Sequence, residues 1–142
     1  MKLRRSLSAA AAALAAAMLC VAAAHAPADA ASHCKGNACT GENPRTQGCG
    51  ADAHDVPKST VRAPGGGPSV RLRVSNRCSA TWARADKADH GWLFKIEIKE
   101  GKSYHGNPSP RAETYTAMVG TSHAYRACIQ DIDKQWECSR WF

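Results

Sequence analysis

Six cysteines constrain this chain more than any other feature. Cys34, Cys39, Cys49, Cys78, Cys128 and Cys138 all fall within residues 31–142, and a seventh, Cys20, lies ahead of them. An even number of cysteines in so short a stretch reads as a disulfide framework formed in an oxidising compartment. Three of the six precede residue 50 and three follow it. If all six pair, either one or three bridges must tie the amino-terminal part to the rest. We expect Cys78 to pair with Cys128, because both sit in strand-like stretches, and we leave the other two pairings open. Each bridge contributes about 2–4 kcal/mol, against a total of about 5–15 kcal/mol for a domain of this size. A competing pattern is a zinc site from Cys34-x4-Cys39, His33 and Cys49. Structural zinc sites favour closer cysteine spacing and reducing compartments, so disulfides are expected and no metal or cofactor is called for.

The start of the chain gives the compartment. Lys2, Arg4 and Arg5 precede an apolar, alanine-rich run over residues 7–24, and Ala28-Asp29-Ala30 offers small residues for cleavage. This predicts a signal peptide over 1–30 and a single secreted domain over 31–142. Its removal takes three basic and one acidic side chain, so the net charge falls from +7 to +5. A chain of 142 residues leaves no room for a second large domain, and nothing beyond the leader is apolar enough for stable membrane insertion. The expected location is extracellular, with association to the cell wall.

After the leader, alternation replaces helical periodicity. Val70, Leu72 and Val74 alternate with Arg71, Arg73 and Ser75; Trp92, Phe94, Ile96 and Ile98 alternate with Leu93, Lys95, Glu97 and Lys99. Shorter strand signals run over 59–63, 79–84, 114–119, 123–130 and 135–141, separated by Gly- and Pro-bearing turns. About seven short strands predict an all-β, mostly antiparallel fold. The expected form is a small disulfide-stapled sandwich or barrel, with an irregular Cys-rich segment over 31–55 and a β body over 56–142. Residues 104–110 read as a loop.

Several motifs are also familiar. Cys34-x-Gly36-x2-Cys39-x-Gly41-x2-Pro44-x3-Gly48-Cys49-x2-Asp52-Ala53 resembles the opening of the YjfA-like family of small exported proteins. Leu72-Arg73-x-Ser75-x2-Cys78-x-Ala80-x-Trp82-Ala83-Arg84, Tyr115-Thr116-x-Met118-Val119, Ala127-Cys128-Ile129 and Cys138-x2-Trp141-Phe142 fit it as well. The resemblance implies an exported domain with no assigned activity. Similar domains at the outer end of membrane-anchored helix-turn-helix regulators imply sensing or binding rather than turnover. Asn43 and Ala117 depart from the pattern.

Candidate chemistry follows from residue type. Arg71 and Arg73 share a strand face with Arg84 nearby in sequence; together with Trp141 they form the candidate binding set for an anionic polymer or glycan. The plainer account is a solvated stripe in which Arg71 or Arg73 pairs with Glu97. Trp82 and Trp92 read as core. If the chain were catalytic, a small ribonuclease-like hydrolase would draw on Glu97, His123, Arg73 and His105. The loop over 104–110 suits an inhibitor of exported proteases. Glu42, Asn43, Asp52 and Asp55 do not match a calcium loop, and such residues more often bind backbone amides. Expected partners are a cell-wall polymer, a glycan or an exported protein, rather than nucleic acid; catalysis is not expected.

Overall fold

The alternating segments form strands in a computed structural model that describes residues 32–87 and 91–142. The expected signal peptide lies outside the described residues. Ten strands are formed: β1 (His54–Asp55), β2 (Val61–Arg62), β3 (Ser69–Ser75), β4 (Ala80–Ala85), β5 (Leu93–Ile98), β6 (Ser103–Gly106), β7 (Thr114–Tyr115), β8 (Val119–Gly120), β9 (Tyr125–Gln130) and β10 (Trp136–Cys138). Two 3-10 turns, Gly36–Cys39 and Pro64–Gly66, are the helical elements among the described residues.

Every pairing is antiparallel, and the strands divide into two sheets. Sheet I runs β1-β3-β4-β7, with β2 also on β3 and β8 also on β4. Sheet II runs β10-β9-β5-β6. The sheets face one another as a sandwich rather than closing into a barrel. Val70, Leu72, Ala83 and Ala85 of sheet I meet Phe94, Ile96, Ala127 and Ile129 of sheet II in one buried core. Strand alternation therefore sends Arg71, Arg73, Trp82 and Arg84 to the outer face of sheet I, and Lys95, Glu97 and Arg126 to the outer face of sheet II.

The amino-terminal segment covers part of the outer face of sheet I. Gly36 N donates to Cys78 O (2.7 Å), Gly41 N to Met118 O (2.9 Å) and Met118 N to Glu42 O (2.9 Å). Asp52 accepts from Ser75 Oγ (2.5 Å) and Arg77 N (2.9 Å). Beneath it lies a second buried cluster of Cys39, Cys49, Cys78, Ala80, Trp82 and Met118. β4 is thus covered on both faces, which is why five of its six residues are buried. Because Met118 pairs with Glu42, the strand expected over 114–119 is interrupted between β7 and β8.

The bridges are Cys34–Cys39, Cys49–Cys78 and Cys128–Cys138. The expected Cys78–Cys128 pairing does not form. Cys78 belongs to the cluster outside sheet I, whereas Cys128 sits on the outer face of sheet II directly opposite Cys138. The whole core separates the two. One bridge, Cys49–Cys78, ties the amino-terminal segment to the body, which satisfies the parity requirement.

This docking tolerates little added volume. A Cβ at Gly120 would stand 2.6 Å from Asn37 Oδ1 and 2.8 Å from the Gly36 carbonyl carbon. Gly120→Ala should therefore lower stability by about 1–3 kcal/mol in chemical denaturation, by prising the segment from β8. An unchanged midpoint would show that the segment rides loosely on the sheet.

Candidate functional site

The register of sheet I builds two rows of outward side chains. Asp55, Arg73 and Trp82 lie in line across β1, β3 and β4; Arg71, Arg84 and Tyr115 lie in line across β3, β4 and β7. Residues 44–53 lean over the second half of these rows. Between them and the sheet opens a cleft of about 380 Å³, lined by Arg45, Arg73, Trp82, Arg84, Glu113 and Tyr115 among others. Trp82 is only 5% exposed and forms the floor with half-buried Tyr115.

Carboxylates fix the arginines. Arg71 Nη1 donates to Asp86 Oδ1 (2.7 Å), and Nη2 donates to Glu113 Oε1 (3.4 Å). Its Nε lies 3.3 Å from Asp55 Oδ2 but is not aligned for a hydrogen bond. Arg73 Nη1 donates to Asp55 Oδ1 (3.1 Å), and its other arm donates to Ala53 O. Arg84 is paired with Glu113. Burial, and then the positive charges of Arg73 and Arg71, pull Arg84 below the usual arginine range, but a guanidinium stays charged in a protein. Arg45 is exposed and, among the described residues, has no carboxylate within ion-pair distance.

Of the binding set inferred from sequence, Arg71, Arg73 and Arg84 share this face, and Trp141 does not. Trp141 is 37% exposed and stacks with Arg126, 4.4 Å from its ring centroid, outside sheet II. The expected pairing of Arg71 or Arg73 with Glu97 is replaced by Asp55, Asp86 and Glu113, because Glu97 faces away on sheet II. There its Oε1 meets Lys95 Nζ (2.5 Å) and its Oε2 meets Arg126 Nε (2.7 Å). The four residues named for catalysis are spread out. Arg73 lies outside sheet I, Glu97 and His105 lie outside sheet II, and exposed His123 sits in the turn before β9.

The acidic residues of the amino-terminal loops are in use. Asn43 Oδ1 accepts from Arg45 N (2.9 Å), Glu42 accepts from Gln47 Nε2 (3.1 Å), and Asp52 and Asp55 are held as above. Cys34, Cys39 and Cys49 cluster closely enough for a metal, but all three are disulfide-bonded and offer no thiolate. The loop expected over 104–110 starts later, since Ser103–Gly106 is a strand and Tyr104 packs against the core.

Acid should weaken this fold. Burial acts to raise Asp52, Asp86 and Glu97, but hydrogen bonds outweigh it and hold all three below the ordinary carboxylate range: Ser75 and Arg77 for Asp52, Ser69 and Arg71 for Asp86, Lys95 and Arg126 for Glu97. A folded-state pKa below the unfolded one contributes stability that is complete above the unfolded value and lost as pH falls through the folded one. The unfolding temperature should hold steady down to about pH 5 and decline below about pH 4. Glu97→Gln should make that decline shallower; an equally steep fall in the variant would remove Glu97 from the acid response.

Sequence reading missed Arg45, Glu113 and Tyr115; it placed Trp82 in the core, and Trp82 is buried, in the cluster outside sheet I. The available signal was that Trp82 and Arg84 are two apart on one strand and so share a face.

The molecule is a disulfide-stapled antiparallel β sandwich with a basic, aromatic-floored cleft under its amino-terminal segment. Residues 37–128 match the family described as Protein of unknown function (DUF2690), and the chain belongs to that family. Every residue lining the cleft lies inside the matched span. No curated protein and no solved structure matches the chain.

Proposed function

We propose that this chain is a secreted binding module of the cell envelope that takes an anionic or glycan ligand in the cleft beneath its amino-terminal segment. The supporting observation is the meeting of Arg45, Arg73 and Arg84 with Trp82 and Tyr115 in one concavity. Arg73 is paired with Asp55 and Arg84 with Glu113, so the cleft keeps a surplus of one positive charge, that of Arg45. Aromatic rings beside fixed cations suit a ring-bearing acid, because the rings contribute apolar contact and the cations select charge. Three disulfides favour an oxidising, extracytoplasmic setting. The YjfA-like resemblance, with its link to sensing and binding, points the same way.

Arg45 gives the cleanest test, since no ion pair among the described residues depends on it. The wild-type domain should bind dextran sulfate at low salt and ignore neutral dextran. Arg45→Glu reverses the charge surplus to one negative charge and should weaken binding about tenfold or more. Equal binding by the variant, or none by the wild type, would sink the reading.

A further inference from the structure

We propose that the cleft is one half of a longer groove, and that its ligand is an acidic polysaccharide chain rather than a small anion or a single sugar. This rests on the anion-binding reading above and extends it to a second subsite. A second depression of about 390 Å³ adjoins the cleft and shares three of its walls, Arg45, Glu113 and Tyr115. The shared residues form a waist. Glu113 is fixed there by Arg71 and Arg84, and Arg45, which has no ion pair among the described residues, reaches in from the amino-terminal side.

The two halves differ in chemistry. The first holds Arg73, Arg84 and the tryptophan floor. The second has no Lys or Arg beyond the shared Arg45 and presents His105 and Asn107. Imidazole and amide groups both donate and accept hydrogen bonds, which is what neutral sugar hydroxyls require. A small anion would use only the first half. A polyphosphate has no hydroxyl groups to pair with the hydrogen-bonding side chains of the second. A chain of sugar rings with acid groups uses both. Each half alone exceeds the roughly 300 Å³ at which ligand pockets begin, so the two together admit several ring units.

Calorimetric titration with mono-, di-, tri- and hexagalacturonate tests this directly. Affinity should rise with chain length, the hexamer binding about tenfold tighter than the monomer, the gain expected of one or two added hydrogen bonds. The double variant His105→Ala/Asn107→Ala should lose that gain. Both residues are exposed, and a thermal melt matching wild type confirms that the fold survives. Length-independent binding that still responds to Arg45→Glu would overturn the chain ligand and leave the anion cleft standing. So would a length gain that persists in the double variant, or polyphosphate binding as tight as the hexamer. Absence of binding by every one of these probes would overturn both proposals.

Discussion

Replacing Cys49 and Cys78 together by serine should lower the unfolding temperature by about 15 °C and abolish anion binding. The bridge spans 29 residues, the longest separation of the three. Loop-closure entropy for that span is worth about 3–4 kcal/mol, against about 2 kcal/mol for Cys34–Cys39, which spans 5 residues. In a domain of about 110 residues, each kcal/mol moves the midpoint by about 4–5 °C. The effect is also local. The bridge joins the segment that roofs the cleft to the β3–β4 turn and lies in the cluster against Trp82. Once it is cut, the roof is held by a few backbone hydrogen bonds and Asp52. Tryptophan emission should then shift to the red as Trp82 meets water, before the β signal in circular dichroism is lost. A serine pair at Cys34 and Cys39 should lower the midpoint by about half as much and leave emission unchanged. Equal losses from the two pairs would mean that noncovalent contacts, not Cys49–Cys78, hold the segment down.

Much of the fold is legible by alternation. Residues 70–74 and 92–98 show the inward sets that became β3 and β5, since each has a wet face and a buried face. Residues 104–110 read as loop because Gly106-Asn107-Pro108 and Pro110 oppose regular structure; the pairing of β6 is imposed by β5 from outside. β1 is two exposed residues, His54 and Asp55, held by the edge of β3. Neither carries a local signal. The disulfide pairing was misjudged for a related reason: strand character says nothing about which side of which sheet a cysteine faces.

The site was half legible. Arg71, Arg73 and Arg84 share a face by strand period alone, and the hairpin register brings Arg71 opposite Arg84. Their carboxylate partners come from β1, the end of β4 and the segment before β7, so pairing depends on topology rather than spacing. Trp82 has the parity of an outward residue and the burial of a core one. Only a covering segment reconciles the two, and irregular residues 44–53 announce no such role. Trp141 follows the opposite course: as an aromatic near the chain's end it looked available, yet sheet II carries it away from the arginines.

Phe94→Ala should cost about 3–5 kcal/mol, enough to bring the domain close to unfolding at room temperature. Phe94 is the largest fully buried side chain among the described residues, 1% exposed, and lies directly opposite Gly106 on the neighbouring strand. Its ring covers the bare glycine backbone, an arrangement that makes glycine tolerable inside a strand. The fit leaves no slack, since a Cβ on Gly106 would stand 2.0 Å from Phe94 Cζ and 2.3 Å from Cε2. Gly106→Ala alone should therefore also destabilise, by about 1–3 kcal/mol. The double variant Phe94→Leu/Gly106→Ala trades ring volume for a methyl group. It should cost at least about 1 kcal/mol less than the sum of its two parts in denaturant titration. Strict additivity would mean that the two residues do not share this space. The outcome bears on binding as well, because Gly106 also lines the second depression. If the ring supports β6 from within, Phe94→Ala should let that strand sink and erase the length-dependent gain for hexagalacturonate, while the charge-dependent binding lost in Arg45→Glu persists. Retention of the full gain in folded Phe94→Ala protein would place the support of the groove elsewhere.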